Sequence, residues 1–411
     1  MKKLLALTAV AALAASALPA EITFGSWGRA LWVTAANAYD GKDDTVVTDV
    51  KQSWGNEAPR TALSVRGNSD NVGFMLDIFG NGWNGASLGD NYNIWVKPID
   101  PLKISVGKMD NTTLRNDAVF GLWGWDRIGA VAGQEGWTFG GYMQSTGVNF
   151  EITPVEGLYI GVALPLDLNG TDSHTVYAVK KDDGTYESDP YTHRSLADAW
   201  LNTAVVGGYN IEGVGTVKVG LKLNHGLDTI DADNKIAYYY RDKDGKDVET
   251  WCQIAAAFDL TAVENLFVSV GARINTLNTV AHEVNAYARF AATEQLAIHA
   301  IVGSKINAND SKDGKKDYDA LGFTAGAGVD FALDGGLGLF ADLRYANGIW
   351  KSGTSADNSD TFTLGAGVTK GFSNGVIGIA FEGTTNGKNS YSHKDADAFA
   401  WEIPVKFEYW F

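Results

Sequence analysis

The sequence predicts an all-β chain: a transmembrane antiparallel β-barrel of about 18 strands, with short turns at one end and long loops at the other. Three observations carry this. Apolar and polar side chains alternate with a period of two in run after run, the gaps between runs are by turns short and long, and the final run presents an unbroken aromatic and branched face. Successive side chains of a strand point to opposite faces. Each run therefore has one oily side and one wet side.

Taken in chain order, residues 1–20 read as a signal peptide. Lys2 and Lys3 precede an apolar stretch from Leu4 to Leu13, and Ala17-Leu18-Pro19-Ala20 supplies the small residues of a cleavage site, with cutting after Ala17 as the alternative. No segment approaches the roughly 20 apolar residues that a spanning helix requires. Residues 21–411 read as a single barrel domain, since no Pro/Ser-rich linker and no shift in composition divides them. The lone Cys252 cannot form an internal disulfide. Removal of Lys2 and Lys3 with the leader takes the net charge from −16 to −18, which excludes nucleic acid as a partner.

The runs begin with 22–34 and 59–67, continue through pairs such as 214–224 with 249–260, and end with 398–411. Short gaps fall at 68–71, 98–102, 153–157, 211–215, 261–265, 292–295, 333–336 and 371–375. Long gaps fall between them, at 35–58, 80–90, 110–142, 167–201, 225–248, 276–282, 304–318, 347–359 and 384–397. Gly, Pro, Asn and Asp mark them as turns and loops. A soluble sandwich has no reason to sort loop length by parity, whereas a membrane barrel does. Eighteen runs result, or 16 if 92–97 or 297–303 is not a full strand. An even number returns both termini to one side.

Most runs keep their apolar set on one parity. Leu321, Phe323, Ala325, Ala327, Val329 and Phe331 alternate with Gly322, Thr324, Gly326, Gly328 and Asp330, and Val217, Val219 and Leu221 alternate with Lys218, Gly220 and Lys222. In a membrane the apolar set must face lipid and the charged set the lumen. The lumen set of the first five strands is Arg29, Arg60, Arg66, Lys97 and Lys103 against the single acid Asp77, a basic arc that sets a field across a narrow pore. Later strands are mixed, with Glu151, Lys218, Lys222, Asp259, Arg273, Glu283, Arg289, Asp330, Asp342, Arg344, Glu382, Glu402, Lys406 and Glu408.

The last run sets Phe399, Trp401, Ile403, Val405, Phe407, Tyr409 and Phe411 against Glu402, Lys406 and Glu408. A closing strand that ends in Phe411, with Tyr409 and Phe407 before it, resembles the assembly signal of Gram-negative outer-membrane barrels. That resemblance implies export to the outer membrane, lipid and lipopolysaccharide around the barrel, and the barrel-assembly machinery as a partner.

The gap from Asp110 to Tyr142, the third long loop, is unlike the others. It holds Asp117, Trp123, Trp125, Asp126, Arg127, Glu135 and Trp137 among many glycines. So many large aromatics are a poor choice for a loop in water and point to one packed against the barrel. This resembles the general diffusion porins, whose third loop folds inward so that its acids face basic residues on the wall. The Pro-Glu-Phe-Gly-Gly motif of that family is replaced here by Trp137-Thr-Phe-Gly-Gly141. By role, the resemblance sets Asp117, Asp126 and Glu135 against Arg29, Arg60 and Arg66, and it implies a homotrimer.

Chemistry is poorly supported. The six His (174, 193, 225, 282, 299 and 393) show no metal-ligand spacing, and no Ser stands at an evident partner position to inward His299. The acidic stretches 242–247 and 310–317 lack the full calcium-loop pattern with its terminal Glu. No cofactor and no enzymatic activity are expected. The expected function is a water-filled channel for passive diffusion of small hydrophilic solutes and ions. The alternatives are a channel selective for sugars or organic acids, using Trp123, Trp125 and Trp137 as an aromatic track, and a plugged surface barrel acting as an adhesin.

Overall fold

The computed structural model describes residues 21–39, 44–51, 59–81, 85–114, 138–166, 174–176, 191–193, 203–225, 230–231, 236–237, 250–276, 281–310, 317–357, 359–386 and 399–411. The leader expected over residues 1–20 lies outside them.

The strands follow the alternation. β1 (Glu21–Tyr39), β2 (Asp44–Lys51), β3 (Arg60–Asn68), β4 (Val72–Asn81), β5 (Ala86–Ile99) and β6 (Leu102–Asp110) lead to the third long gap. Beyond it come β7 (Gln144–Ile152), β8 (Leu158–Leu164), β9 (His174–Val176), β10 (Tyr191–His193), β11 (Ala204–Ile211) and β12 (Gly215–His225). The minimal β13 (Ile230–Asp231) and β14 (Ile236–Ala237) precede β15 (Thr250–Leu260), β16 (Leu266–Asn275), β17 (His282–Ala291) and β18 (Leu296–Asp310). β19 (Asp317–Leu333), β20 (Leu337–Ala346), the one-turn helix α1 (Gly348–Ser352), β21 (Thr361–Phe372), β22 (Gly375–Thr385) and β23 (Phe399–Trp410) complete the chain.

β9 pairs with β10 and β13 with β14 as small separate ribbons, and β2 pairs only with the upper part of β1 among the described residues. The other 18 strands form one closed antiparallel barrel. β1 meets β23 from Trp27 opposite Trp410 to Ala36 opposite Glu402, and that seam removes the last free edges. The 16-strand alternative falls: both doubtful runs lie in full strands, β5 and β18, each hydrogen-bonded on both sides. No described helix is long and apolar enough to cross a membrane.

Three long gaps turn out to continue the barrel ladder, while 167–201 and 225–248 hold the small ribbons β9–β10 and β13–β14. Across 35–58, β1 runs on to Tyr39 and β2 returns beside it, with Thr45 opposite Ala38 and Val47 opposite Ala36. Across 80–90 the ladder continues to Gly80 opposite Ala86, and across 304–318 it reaches Asp310 opposite Asp317. Gly and Asn in these stretches read as loop signals. A hairpin whose neighbours already supply the ladder overrides them, since strand preference depends on context more than on the residue itself.

The two faces separate as the parity requires. Phe24 is 71% exposed, Ile94 64% and Leu343 57%, all on the outer surface. The opposite parity places Arg29, Asp77, Asn149, Ser269, Glu382 and Glu402 inside, all buried. At the seam, Phe411 N–H donates to Ser26 O at 2.8 Å, and the Tyr409 hydroxyl lies 3.1 Å from Ser26 Oγ. The Tyr409 ring lies over Gly28, where a Cβ would collide with it. Phe407 and Phe411 stay exposed on the outer face of the closing strand.

An outward charge should therefore be costly and an inward one cheap. Val219→Lys is expected to destabilise the barrel by about 2–4 kcal/mol near the bilayer midplane. Asn210→Lys, on an inward and solvent-exposed position of β11, should change stability little. Urea unfolding in lipid vesicles measures both, and equal losses would show the parity of this hairpin to be wrong.

Candidate functional site

The inner wall is the candidate site, and its charges are set by the register. Arg29 on β1 stands opposite Glu408 on β23 and donates to both carboxylate oxygens, at 2.8 and 2.7 Å. Lys406 reaches the same carboxylate at 3.3 Å. Arg66 lies 2.5 Å from Asp77, which also accepts from Ser64 at 2.7 Å and from the Asn91 side chain at 2.9 Å. Lys103 meets Glu151 across β6 and β7 at 3.0 Å. Arg60 lies over the Phe79 ring, and Lys97 over the Trp95 ring.

The early arc is thus not a wall of one sign. Counting along the first five strands sets its five cations against Asp77 alone, but closure brings Glu408 to Arg29 and the next strand brings Glu151 to Lys103. Later cations are paired in the same way, Lys218 with Asp259 at 2.6 Å and Arg273 with Glu283. His299 bridges strands too: its Nδ1 lies 2.6 Å from the Tyr287 hydroxyl and its Nε2 meets Asp330. These contacts join a phenol, an imidazole and a carboxylate into a polar chain across three strands.

Asp117, Trp123, Trp125, Asp126, Arg127, Glu135 and Trp137 lie outside the described residues. The two ends of their loop are described, and both turn into the lumen. Leu114, Phe139, Tyr142 and Met143 form a buried cluster with Ala163, Ala204, Val206, Ala255 and Ala257 of the inner wall. The wall is notched to receive them. A Cβ on Gly220 would come within 3.0 Å of both Phe139 and Tyr142, one on Gly208 within 2.6 Å of Leu114, and one on Gly271 would collide with Thr138. Lys222 Nζ donates to Gly141 O at 3.3 Å, and the Tyr142 hydroxyl donates to Gln253 O at 3.4 Å. This end of the loop therefore rests on β11, β12, β15 and β16.

A second loop enters the lumen, and sequence reading treated it as an ordinary gap, 347–359. α1 is capped at its start by Asn347, whose side chain accepts from Trp350 N–H at 2.9 Å, and at its end by Gly353 in the left-handed conformation (φ 71°). Asn347 also donates to Leu321 O at 2.9 Å, and Asp360 accepts from Gly348 N–H at 2.9 Å and from the Tyr345 hydroxyl at 2.7 Å. The helix leans on the inner faces of β18 and β19. Trp350 fills the space left by Gly303 and Gly322, and Lys305 Nζ sits 4.7 Å above its ring while donating to its carbonyl at 3.1 Å. The legible signal was Asn347 followed six residues later by Gly353, a one-turn helix with both caps. The acidic stretch 242–247 lies outside the described residues; of 310–317, the two ends are described, and Asp310 accepts from the Ser355 backbone N–H at 2.9 Å, a brace for this loop.

No family model matches the chain, and no curated protein matches it. Solved structures do. OpdQ of Pseudomonas aeruginosa aligns over 95% of this chain and 98% of its own, at 8% identity and a TM-score of 0.51. A double variant of OccD1 (OprD) aligns over 95% of each chain, at 8% identity and a TM-score of 0.50. The chain has the fold of an outer-membrane porin. Salmonella typhi OmpF, in complex with daunomycin, aligns over 95% of this chain and 97% of its own, at 10% identity and a TM-score of 0.44. At these identities the likeness speaks for the porin fold alone.

Lys305 should act as the latch of the second loop. Lys305→Met removes a cation–π contact and a charged hydrogen bond, and should raise the rate of tryptic cleavage at exposed Lys351 about tenfold by easing local opening. Digestion of the folded protein in detergent tests this; an unchanged rate would show that the caps alone hold the loop.

Proposed function

We propose that this barrel is an outer-membrane channel for the passive diffusion of small hydrophilic solutes and ions, exported by way of a cleaved leader and working without cofactor or covalent chemistry. One observation carries the reading: two separate chain segments, 138–143 and α1, turn into a lumen whose wall carries charges such as Arg29, Lys218, Arg344 and Lys406 beside apolar patches. Large barrels of 16 to 18 strands leave an aqueous channel, so loops folded into one narrow it without filling it. Selection then rests on size at the constriction and on the field of the wall.

In this reading Asp117, Asp126, Arg127 and Glu135, with Trp123, Trp125 and Trp137, line the constriction, opposite Arg29, Arg60 and Arg66. The homotrimer and the assembly role of Phe407, Tyr409 and Phe411 belong to the same proposal. A second reading, a channel selective for one class of solute, is favoured by Trp350, whose aromatic ring the wall glycine Gly303 admits on the inner face while Gly322 leaves room for its backbone.

Planar-bilayer recording tests the proposal. Removing 119–136 should raise single-channel conductance and admit larger solutes, and removing 349–357 should raise it independently. A barrel that assembles yet carries no current in any of these forms would be a plugged surface barrel instead.

Replacing Arg29, Arg60 and Arg66 with Ala should shift selectivity towards cations. Glu408 and Asp77 then keep their charge without the guanidinium that neutralised it, although Lys406 still reaches Glu408. It should fade as salt approaches roughly 1 M, where the screening length falls to about 3 Å. Reversal potentials in a salt gradient measure it, and an unchanged potential would remove the arc from the selectivity filter.

A further inference from the structure

At the short-turn mouth of the lumen, β5 and β6 bring two lysines onto one indole. Lys97 stands two residues before the end of β5 and Lys103 is the second residue of β6. Each ammonium lies 5.7 Å from the centroid of the Trp95 ring. Trp95 itself is buried flat against the wall over Gly73, where a Cβ would collide with its ring. Gly73 stands directly opposite Trp95 in the ladder, so the missing side chain makes the bed for the indole.

Like charges gathered on one face repel, and nothing in a merely hydrated wall requires it. The local acids do not cancel them. Glu151 meets Lys103 at 3.0 Å, while Lys97 pairs with no carboxylate among the described residues. Other inner cations differ: Arg29 and Lys218 have an acid within 2.7 Å and side chains only 5% and 9% exposed, whereas the Lys103 side chain is 31% exposed. Two accessible ammonium groups, held by one rigid ring at a water-filled mouth, offer paired donors to a ligand with more than one negative charge.

We propose that Trp95, Lys97 and Lys103 form an anion subsite at this mouth, selective for solutes bearing two or more negative charges, such as di- and tricarboxylates or phosphate esters. The inference rests on the channel reading and gives that channel a solute class. Lys97 and Lys103 make the contacts, and Trp95 is a positioning residue that fixes their directions.

The test uses the full mature chain in planar bilayers at about 0.1 M salt, where screening is modest. Pyrophosphate is titrated into each compartment in turn, with acetate as the singly charged comparison. The wild-type current should be blocked by pyrophosphate at lower concentration from one side than from the other, and little by acetate.

Lys97→Ala with Lys103→Ala should raise the half-blocking concentration about tenfold. Trp95→Leu, which leaves every charge in place, should raise it about threefold by loosening the lysines. Lys370→Ala, on the outer face, should leave it unchanged. Equal shifts for pyrophosphate and acetate, or block by pyrophosphate that ignores Lys97 and Lys103, would overturn the subsite. Calorimetric titration of the folded protein in detergent with pyrophosphate separates the two failures. Lysine-dependent binding without current overturns the channel and keeps the subsite; current without lysine-dependent binding does the reverse.

Discussion

A backbone amide in the hydrocarbon of a bilayer has no water to bond, so every strand that crosses needs a neighbour on both sides. The seam between β1 and β23 meets that demand for the whole molecule. Without it two edges would face lipid, each unpaired group costing several kcal/mol. The seam is also where the chain ends. Phe411 is tied to Ser26 by backbone hydrogen bonds, and Tyr409 occupies the gap above Gly28. The small residue on one strand and the aromatic on the other are complementary shapes at the joint that closes the sheet.

Closure also decides the electrostatics of the lumen. It joins the first strand to the last, so Arg29 takes Glu408 as its partner although 379 residues separate them. Ion pairs between neighbouring strands then recur around the wall, from Arg66 with Asp77 to Arg273 with Glu283. A lumen stitched this way presents a patterned surface of fixed dipoles, and a cation with no carboxylate partner among the described residues, such as Lys97, stands out against it. Uncompensated charge at a mouth acts on passing ions more strongly than the same charge neutralised by a neighbour.

Glycine does the complementary work for the loops. Gly208, Gly220 and Gly271 admit the end of the third long loop, Gly303 and Gly322 admit Trp350, and Gly73 admits Trp95. Each is an inward position where the ladder needs only backbone and the space above it belongs to another side chain. The barrel is thereby narrowed from within by packed contacts, which close-packed apolar surfaces hold more firmly than loops lying free in water.

The sequence by itself determined the barrel: the period of two, the parity of loop length and the aromatic closing strand depend on local residue order and need no partner to be read. It also determined which residues face inward, from Arg29 to Lys406, because parity follows from strand geometry alone. It misjudged where strands end, since Gly and Asn within 80–90 act as turn residues only when no neighbouring ladder holds them. Only the tertiary structure decided which charges neutralise one another, because pairing across the seam and between hairpins depends on register and closure. The same holds for Trp350 and Trp95: their places follow from glycines on other strands, and a contact between distant positions leaves no mark in the pattern of either one.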